Sequence, residues 1–258
     1  MKTFVLRILI SLTVSASPWL EMNSHEPTDS TFTTPTPGEY TFRARELILP
    51  GVLLTIGIGG YWLDGFYGFN DEANASMTNL RSGHYLHVDD YLQYLPAATY
   101  LSFGAIGVKG KHPFKERVAV AATAYLTMAA LTNVGKYTFR EKRPDSNARN
   151  SFPSGHTATA FTGAELMRIE YGTKLGIVSY FVATGVSFLR LYNGRHWVND
   201  VIAGAGIGIL SARVGYWMLP LYRKWFGWNK PGCKTTLILS PQYDPGCRCC
   251  GLALLWSF

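Results

Sequence analysis

Charge is scarce in this chain. Asp, Glu, Lys and Arg make up 16% of its 258 residues, against roughly 25% in ordinary soluble domains. Apolar and aromatic residues make up 47%. That balance argues against a freely soluble protein and for a bundle embedded in a membrane, although the mean hydropathy of +0.04 is modest for many bilayer crossings. Acidic charge is the scarcer sign, with 17 Asp and Glu against 24 Lys and Arg and a net charge of +7. No long basic run is present. The Lys and Arg residues collect at the edges of apolar segments and between 136 and 149. With no basic recognition motif, nucleic acid is excluded as a partner, and anionic lipid or a phosphorylated substrate remains. Cysteine is absent before Cys233. Cys233, Cys247, Cys249 and Cys250 match no usual zinc spacing, which leaves a disulfide from Cys233 or free thiols.

What is present falls into four stretches. Residues 1–16 read as a signal peptide or an uncleaved anchor, with Lys2 and Arg7 before and within an apolar run and Val14, Ser15 and Ala16 as a cleavage site. Residues 17–42 form a polar linker rich in Pro, Ser and Thr. Residues 43–228 alternate apolar segments with polar loops. The segments 47–63, 91–108, 118–134, 157–171, 175–192 and 200–222 predict an all-α bundle of about six helices, embedded in the membrane. A bilayer span needs about 20 apolar residues. Segments 118–134 and 175–189 fit best, because Glu165, Arg168 and Arg213 interrupt others. The small residues Ala203, Gly204, Ala205 and Gly206 predict close helix packing. In the extension 229–258, strands over 234–240 and 252–258 predict a small β-hairpin.

Charge placement sets an orientation. The loop 109–117 is basic, with Lys109, Lys111, Lys115 and Arg117, whereas 64–90 is an acidic loop. The positive-inside rule then puts 109–117 in the cytoplasm and the polar loops of 136–200 outside. A cleaved signal agrees with that orientation only if 47–63 does not span. Pro50, Gly51, Gly57, Gly59 and Gly60 fit a non-spanning, interfacial helix there.

Three polar clusters lie between the later segments. Lys136 and Arg143 are seven residues apart, two turns along one helical face, with Pro144 marking the helix end. Arg143 offers a planar fork to phosphate oxygens and Lys136 a point charge; a solvated basic helix end is the alternative. Ser154 can cap the helix that follows, Gly155 lets its backbone approach a ligand, and the free N–H groups make an anion seat. His156 stands there as a proton donor or a mere surface residue. His196 and Asp200 are four apart, on one helical face, so that the carboxylate can fix the imidazole tautomer and leave the other nitrogen as nucleophile or base. Arg190 precedes an Asn193, Gly194 break and can reach the same anion. Singly each cluster has a structural explanation. Together they describe one anion site built from helix ends.

The three clusters resemble the type 2 phosphatidate phosphatase superfamily, the clan of lipid phosphate phosphatases, bacterial acid phosphatases and vanadium haloperoxidases. Its signatures K-x6-R-P, P-S-G-H and S-R-x5-H-x3-D correspond to Lys136 with Arg143 and Pro144, to Pro153 through His156, and to Arg190, His196 and Asp200. One position departs: Leu189 stands where the third signature has Ser. The resemblance covers roughly 90–222 and is strongest to the bacterial lipid A phosphatase-like branch. It implies a metal-independent phosphomonoesterase with no cofactor, acting on lipid A, an isoprenyl diphosphate or a phospholipid phosphate. By the same resemblance His196 is the phosphate-accepting nucleophile, Asp200 its orienting carboxylate and His156 the acid. Lys136, Arg143, Arg190 and the N–H groups at Ser154 and Gly155 are the phosphate cage. No Asp/Glu cluster suited to magnesium stands beside the motifs, and no obligate protein partner is implied. The expected location is a bacterial inner membrane with the site facing the periplasm. A vanadate-dependent haloperoxidase and a non-catalytic phosphate-binding membrane protein stay open as alternatives.

Overall fold

The computed structural model describes residues 42–228, 236–244 and 249–257. The leader at 1–16, the linker up to residue 41 and the side chains of all four cysteines lie outside the described residues. The chain divides into two units, Met1–Met218 and Leu219–Phe258.

In the first unit a short 3-10 turn, Ala44–Leu47, leads into α1 (Ile48–Trp62) and α2 (Asp64–Arg81). Two short helices follow, α3 (Asp89–Leu92) and α4 (Leu95–Ser102). Four long ones complete the unit: α5 (Phe114–Phe139), α6 (Gly155–Tyr171), α7 (Thr173–Tyr192) and α8 (Val198–Trp217). The second unit holds a short helix, α9 (Leu219–Trp225), and two antiparallel strands, β1 (Thr236–Asp244) and β2 (Cys249–Ser257), paired from Thr236 with Ser257 to Asp244 with Cys249. The fold is all-α with a C-terminal hairpin, as expected. The strands are longer than the sequence signal.

Three stretches are long and apolar enough to cross a membrane: Phe114–Phe139, Thr173–Tyr192 and Val198–Trp225. Their apolar windows are 28%, 39% and 72% buried, respectively, so α8 is the central post and α5 and α7 turn apolar surface outward. Its small residues explain how α8 can be surrounded. A Cβ on Gly204 would sit 2.6 Å from the Ser154 carbonyl oxygen, and one on Gly206 would sit 3.1 Å from the Pro50 carbonyl oxygen. The small-residue cluster thus admits α6 on one side and α1 on the other.

Three expectations change. First, α1 is not laid across the bundle. Glu46 receives the Trp217 indole N–H (3.1 Å), Gly57 abuts Ala203, and Gly60 faces Asn199, so the turn and α1 run along α8 from one end to the other. Gly57 and Gly60 of α1 are contact points for α8, whereas Gly51 and Gly59 meet open space. Second, 64–90 is not simply a loop: α2 occupies Asp64–Arg81 and buries Asn70, Ala73 and Met77 at helical spacing. Its low apolar content conceals a narrow buried stripe. Third, Glu165, Arg168 and Arg213 do not interrupt their helices. Glu165 is fully buried and takes Arg168 (2.6 Å), Arg213 (2.7 Å) and the Tyr180 hydroxyl (2.7 Å). Glu170 similarly takes His112 (2.7 Å) and Tyr216 (2.8 Å).

Close packing makes α8 intolerant of added volume. Gly204→Ala is expected to cost about 1–3 kcal/mol, the usual range for overpacking. Gly59→Ala, with open space around it, should be neutral or gain up to about 1 kcal/mol through lower chain entropy. Unfolding of the two variants in detergent measures the difference.

Candidate active site

The first cluster forms where α5 stops. Arg140 takes a left-handed conformation (φ 49) and its N–H closes on the Lys136 carbonyl at 3.2 Å. The chain then runs without helix, pinned by Arg143 N–H to the Ala148 carbonyl (3.1 Å) and Ser151 N–H to the Glu141 carbonyl (3.0 Å). Lys136 and Arg143 are therefore not two turns along one helix, and the helix ends at Phe139, well before Pro144. They still converge. Lys136 Nζ donates to the Asn150 carbonyl (2.6 Å) and Arg143 Nε to the Asn150 side-chain oxygen (2.8 Å).

Ser154 occupies the N-cap position of α6, which starts at Gly155. Its hydroxyl accepts from Thr157 Oγ1 (3.1 Å) and caps no backbone N–H, contrary to expectation. Its own N–H donates to the Asp200 carbonyl at 3.0 Å. The N–H groups of the first turn of α6, including that of Gly155, have no acceptor within the helix. His156 is half-buried, with Nε2 2.9 Å from Asp90 Oδ1.

His196 and Asp200 meet, but not along one helical face. His196 lies before α8, Trp197 is the N-cap, and Asp200 is in the first turn. Asp200 Oδ2 accepts the Trp197 N–H at 2.8 Å and the Ser151 hydroxyl at 2.5 Å, and faces His196 Nδ1 at 3.3 Å. Folding back onto its own helix start aims this carboxylate at the preceding loop. Arg190, in the last turn of α7, is buried and donates through Nη1 to Asp89 Oδ2 (2.5 Å), with Asp90 Oδ1 at 3.5 Å.

All eight residues singled out in the sequence thus lie on the three segments that gather here. The sequence reading missed their acidic and amide neighbours. Asp89 and Asp90 stand directly beside the motifs, and Asn193 ties them in through the Leu86 carbonyl (2.6 Å) and Asp89 Oδ1 (3.4 Å). Asp89, Asp90 and His156 have ligand atoms within 4.8 Å of one another, a carboxylate pair that the sequence reading had not placed at the site. The Arg190 guanidinium already compensates Asp89, which opposes a second cation there. Ser151 and Glu141 were also missed. Neither carries a spacing signal, since both are placed by the non-helical run after Arg140.

The electrostatics fit a phosphate-sized anion. Burial, with Arg190 and Arg143 acting against the favourable Asp200 contact, lowers His196 to about 4, so the imidazole is neutral at physiological pH. Burial and the nearby Arg190 also lower His156, against the pull of Asp90. Arg143 is lowered by burial and by Arg190 and Arg195, with Asp145 and Asp200 opposing. Arg143 and Arg190 both oppose a positive charge on the same imidazole. A bound anion would relieve that repulsion.

The chain is similar to several known proteins. Residues 117–224 match the model of the PAP2 superfamily. The chain is 40% identical over 168 residues to a lipid A 1-phosphatase of Porphyromonas gingivalis, covering 62% of this chain and 38% of that protein. It is 35% identical over 96 residues to the bacitracin transport permease protein BcrC of Bacillus licheniformis, covering 37% and 44%. It is 30% identical over 96 residues to an undecaprenyl-diphosphatase of Sulfolobus acidocaldarius, covering 33% and 47%. The chain therefore spans less than half the length of each of these relatives.

The His196 shift has a stability consequence. Below pH 6.5 the unfolded chain binds a proton that the folded site refuses until about pH 4, so stability falls as pH drops through that window. On the order of 3 kcal/mol is at stake at full protonation. Unfolding curves between pH 7 and 4 should be flatter for His196→Asn than for the wild type.

Proposed function

We propose, from the PAP2 superfamily domain that this chain carries, that the protein removes phosphate from a membrane lipid phosphate through a phosphohistidine on His196. The observation that carries the proposal is the meeting of two guanidiniums, a buried neutral imidazole and a helix N-terminus at one end of the bundle. Phosphoryl transfer needs an aligned nucleophile and compensation of spreading negative charge, and this arrangement supplies both.

His196 uses the ring nitrogen that does not face Asp200. That nitrogen attacks phosphorus as the bond to the leaving oxygen breaks. Asp200 accepts from Nδ1 and stabilises the positive charge that develops on the ring. His156 passes a proton to the leaving oxygen. Water then attacks the phosphohistidine, His156 takes its proton back, and inorganic phosphate leaves. Lys136, Arg143, Arg190 and the free N–H groups that begin at Gly155 hold the phosphoryl oxygens throughout, because the Ser154 N–H is already given to the Asp200 carbonyl. No metal is assigned a step.

The substrate class follows from the apolar exterior and the relatives. The lipid A 1-phosphatase relative supports a lipid A-like glycolipid phosphate as the first substrate to test. The undecaprenyl-diphosphatase relative supports an isoprenyl diphosphate as the second. One feature of the bundle supports an orientation: Ala44 and the 109–117 loop lie at the end opposite the motif loops. The basic loop at that end assigns it to the cytoplasm, and the site then faces the periplasm from the inner membrane.

Purified protein is expected to release phosphate from lipid A or undecaprenyl diphosphate in EDTA, and His196→Ala to release none while remaining folded. Arg143→Ala should lose on the order of a hundredfold in rate, about 3 kcal/mol of transition-state stabilisation. An absolute requirement for added metal, or halide oxidation only after vanadate and peroxide are supplied, refutes the proposal. Phosphate binding without turnover would identify a non-catalytic binder. For orientation, a reporter active only outside the cytoplasm should respond at 145–149 and stay silent at 109–111.

A further inference from the structure

Asp200 uses its two oxygens unequally. Oδ2 accepts from Ser151 and the Trp197 N–H and faces His196, whereas Oδ1 is buried with no hydrogen-bond partner among the described residues. A buried carboxylate oxygen without a donor is rare and costly. The carboxyl of Glu141, from the non-helical run after α5, lies close enough to the Asp200 side chain to interact with it.

Glu141 is held there by a second layer. Asn199 Nδ2 lies 3.4 Å from both Glu141 oxygens. Asn199 Oδ1 accepts from Asn70 Nδ2 (2.9 Å), and Asn70 Oδ1 accepts the Val198 N–H (3.2 Å). Both asparagines are buried. Burial, and next the charge of Asp200, push the Glu141 carboxyl up to about 9. Two ionised carboxylates would repel across this contact; one protonated and one ionised form a donor–acceptor pair.

We propose that Glu141 is a positioning residue: as a neutral acid it donates its O–H to the free Oδ1 of Asp200 and so keeps Oδ2 on His196. The proposal rests on His196 being the nucleophile. The other ionisable groups around Glu141 line the open side of a cleft of about 290 Å³. They are Tyr61 from α1, Asp71 from α2, and Arg140, Lys142 and Arg149 from the loop itself. Asp71 and the three basic side chains are exposed and do not replace the missing donor.

The test compares Glu141→Gln and Glu141→Ala with the wild type by phosphate release from pH 6 to 10.5. The amide of Gln keeps an N–H donor and cannot ionise. Glu141→Gln should retain kcat within about threefold at pH 7 and stay active above pH 9, where wild-type activity falls as Glu141 loses its proton. Other alkaline titrations are common to both proteins, so the difference between the two profiles is the readout. Glu141→Ala should lose at least tenfold in kcat with KM little changed. The proposal is overturned if Glu141→Gln is as impaired as Glu141→Ala, if its alkaline limb coincides with that of the wild type, or if Glu141→Ala is fully active. Should Glu141→Ala fail to fold, the Gln and wild-type pH profiles decide alone. Failure of the underlying mechanism is distinguishable, because His196→Ala would then keep releasing phosphate whatever the Glu141 variants do.

Discussion

The carboxylate and carbonyl of Asp200 hold the site together. The carboxylate closes the start of α8 through the Trp197 N–H, takes the Ser151 hydroxyl from the loop after α5, and faces His196. The backbone carbonyl of the same residue takes the Ser154 N–H at the start of α6. One residue thus joins all three motif segments. Its charge is available for this because a helix N-terminus favours an anion. The same charge favours a proton on His196, against the burial and the guanidiniums that keep the imidazole neutral.

A second balance surrounds the first. Arg190 is buried and would be unstable without an anion, and Asp89 supplies one at 2.5 Å. Asp90 meets His156 instead. The site therefore contains carboxylates on both sides of the cations, Asp200 toward the bundle and Asp89 with Asp90 toward the loop before α4. In the proposed mechanism, a phosphoryl group entering between them would meet cations that are already oriented, which leaves little reorganisation for the reaction itself.

The sequence made legible which residues gather at this end of the bundle, but not how they meet. Spacing located Lys136, Arg143, His156, Arg190, His196 and Asp200, because each motif lies within one short stretch and hydrogen-bonding types are visible in letters. It misjudged how they meet. Helical periodicity extrapolated α5 through Arg143, yet Arg140 leaves the helix in a left-handed turn, and the convergence on Asn150 comes from a loop. Periodicity likewise put His196 and Asp200 on one face, whereas Asp200 folds back on the N-cap. Asp89, Asp90, Ser151 and Glu141 reach the site only through the tertiary fold. Charge inside apolar segments was read as interruption because pairing partners such as Glu165 and Arg213 lie 48 residues apart. Low hydropathy hid α2, whose buried stripe among the described side chains is Asn70, Ala73 and Met77.

Register explains why packing and chemistry cannot be separated in this bundle. In a bilayer, helices gain little from hiding apolar surface from one another, and small-residue contacts and polar links decide how they align. Gly204 touches the Ser154 carbonyl one turn below Asp200, so the contact that sets the height of α6 on α8 also sets the anion seat against the His–Asp pair. At the opposite end, Glu170 bonds His112 and Tyr216, and Tyr216 lies 3.2 Å from the Tyr100 hydroxyl. Between these pins α6 and α8 meet through Gly208, whose Cβ would lie 2.6 Å from the Ala158 carbonyl oxygen. A shift of one turn, about 5.4 Å, would break both polar ends at once. The alignment that keeps both of these polar ends paired is therefore also the one that brings the three motifs together.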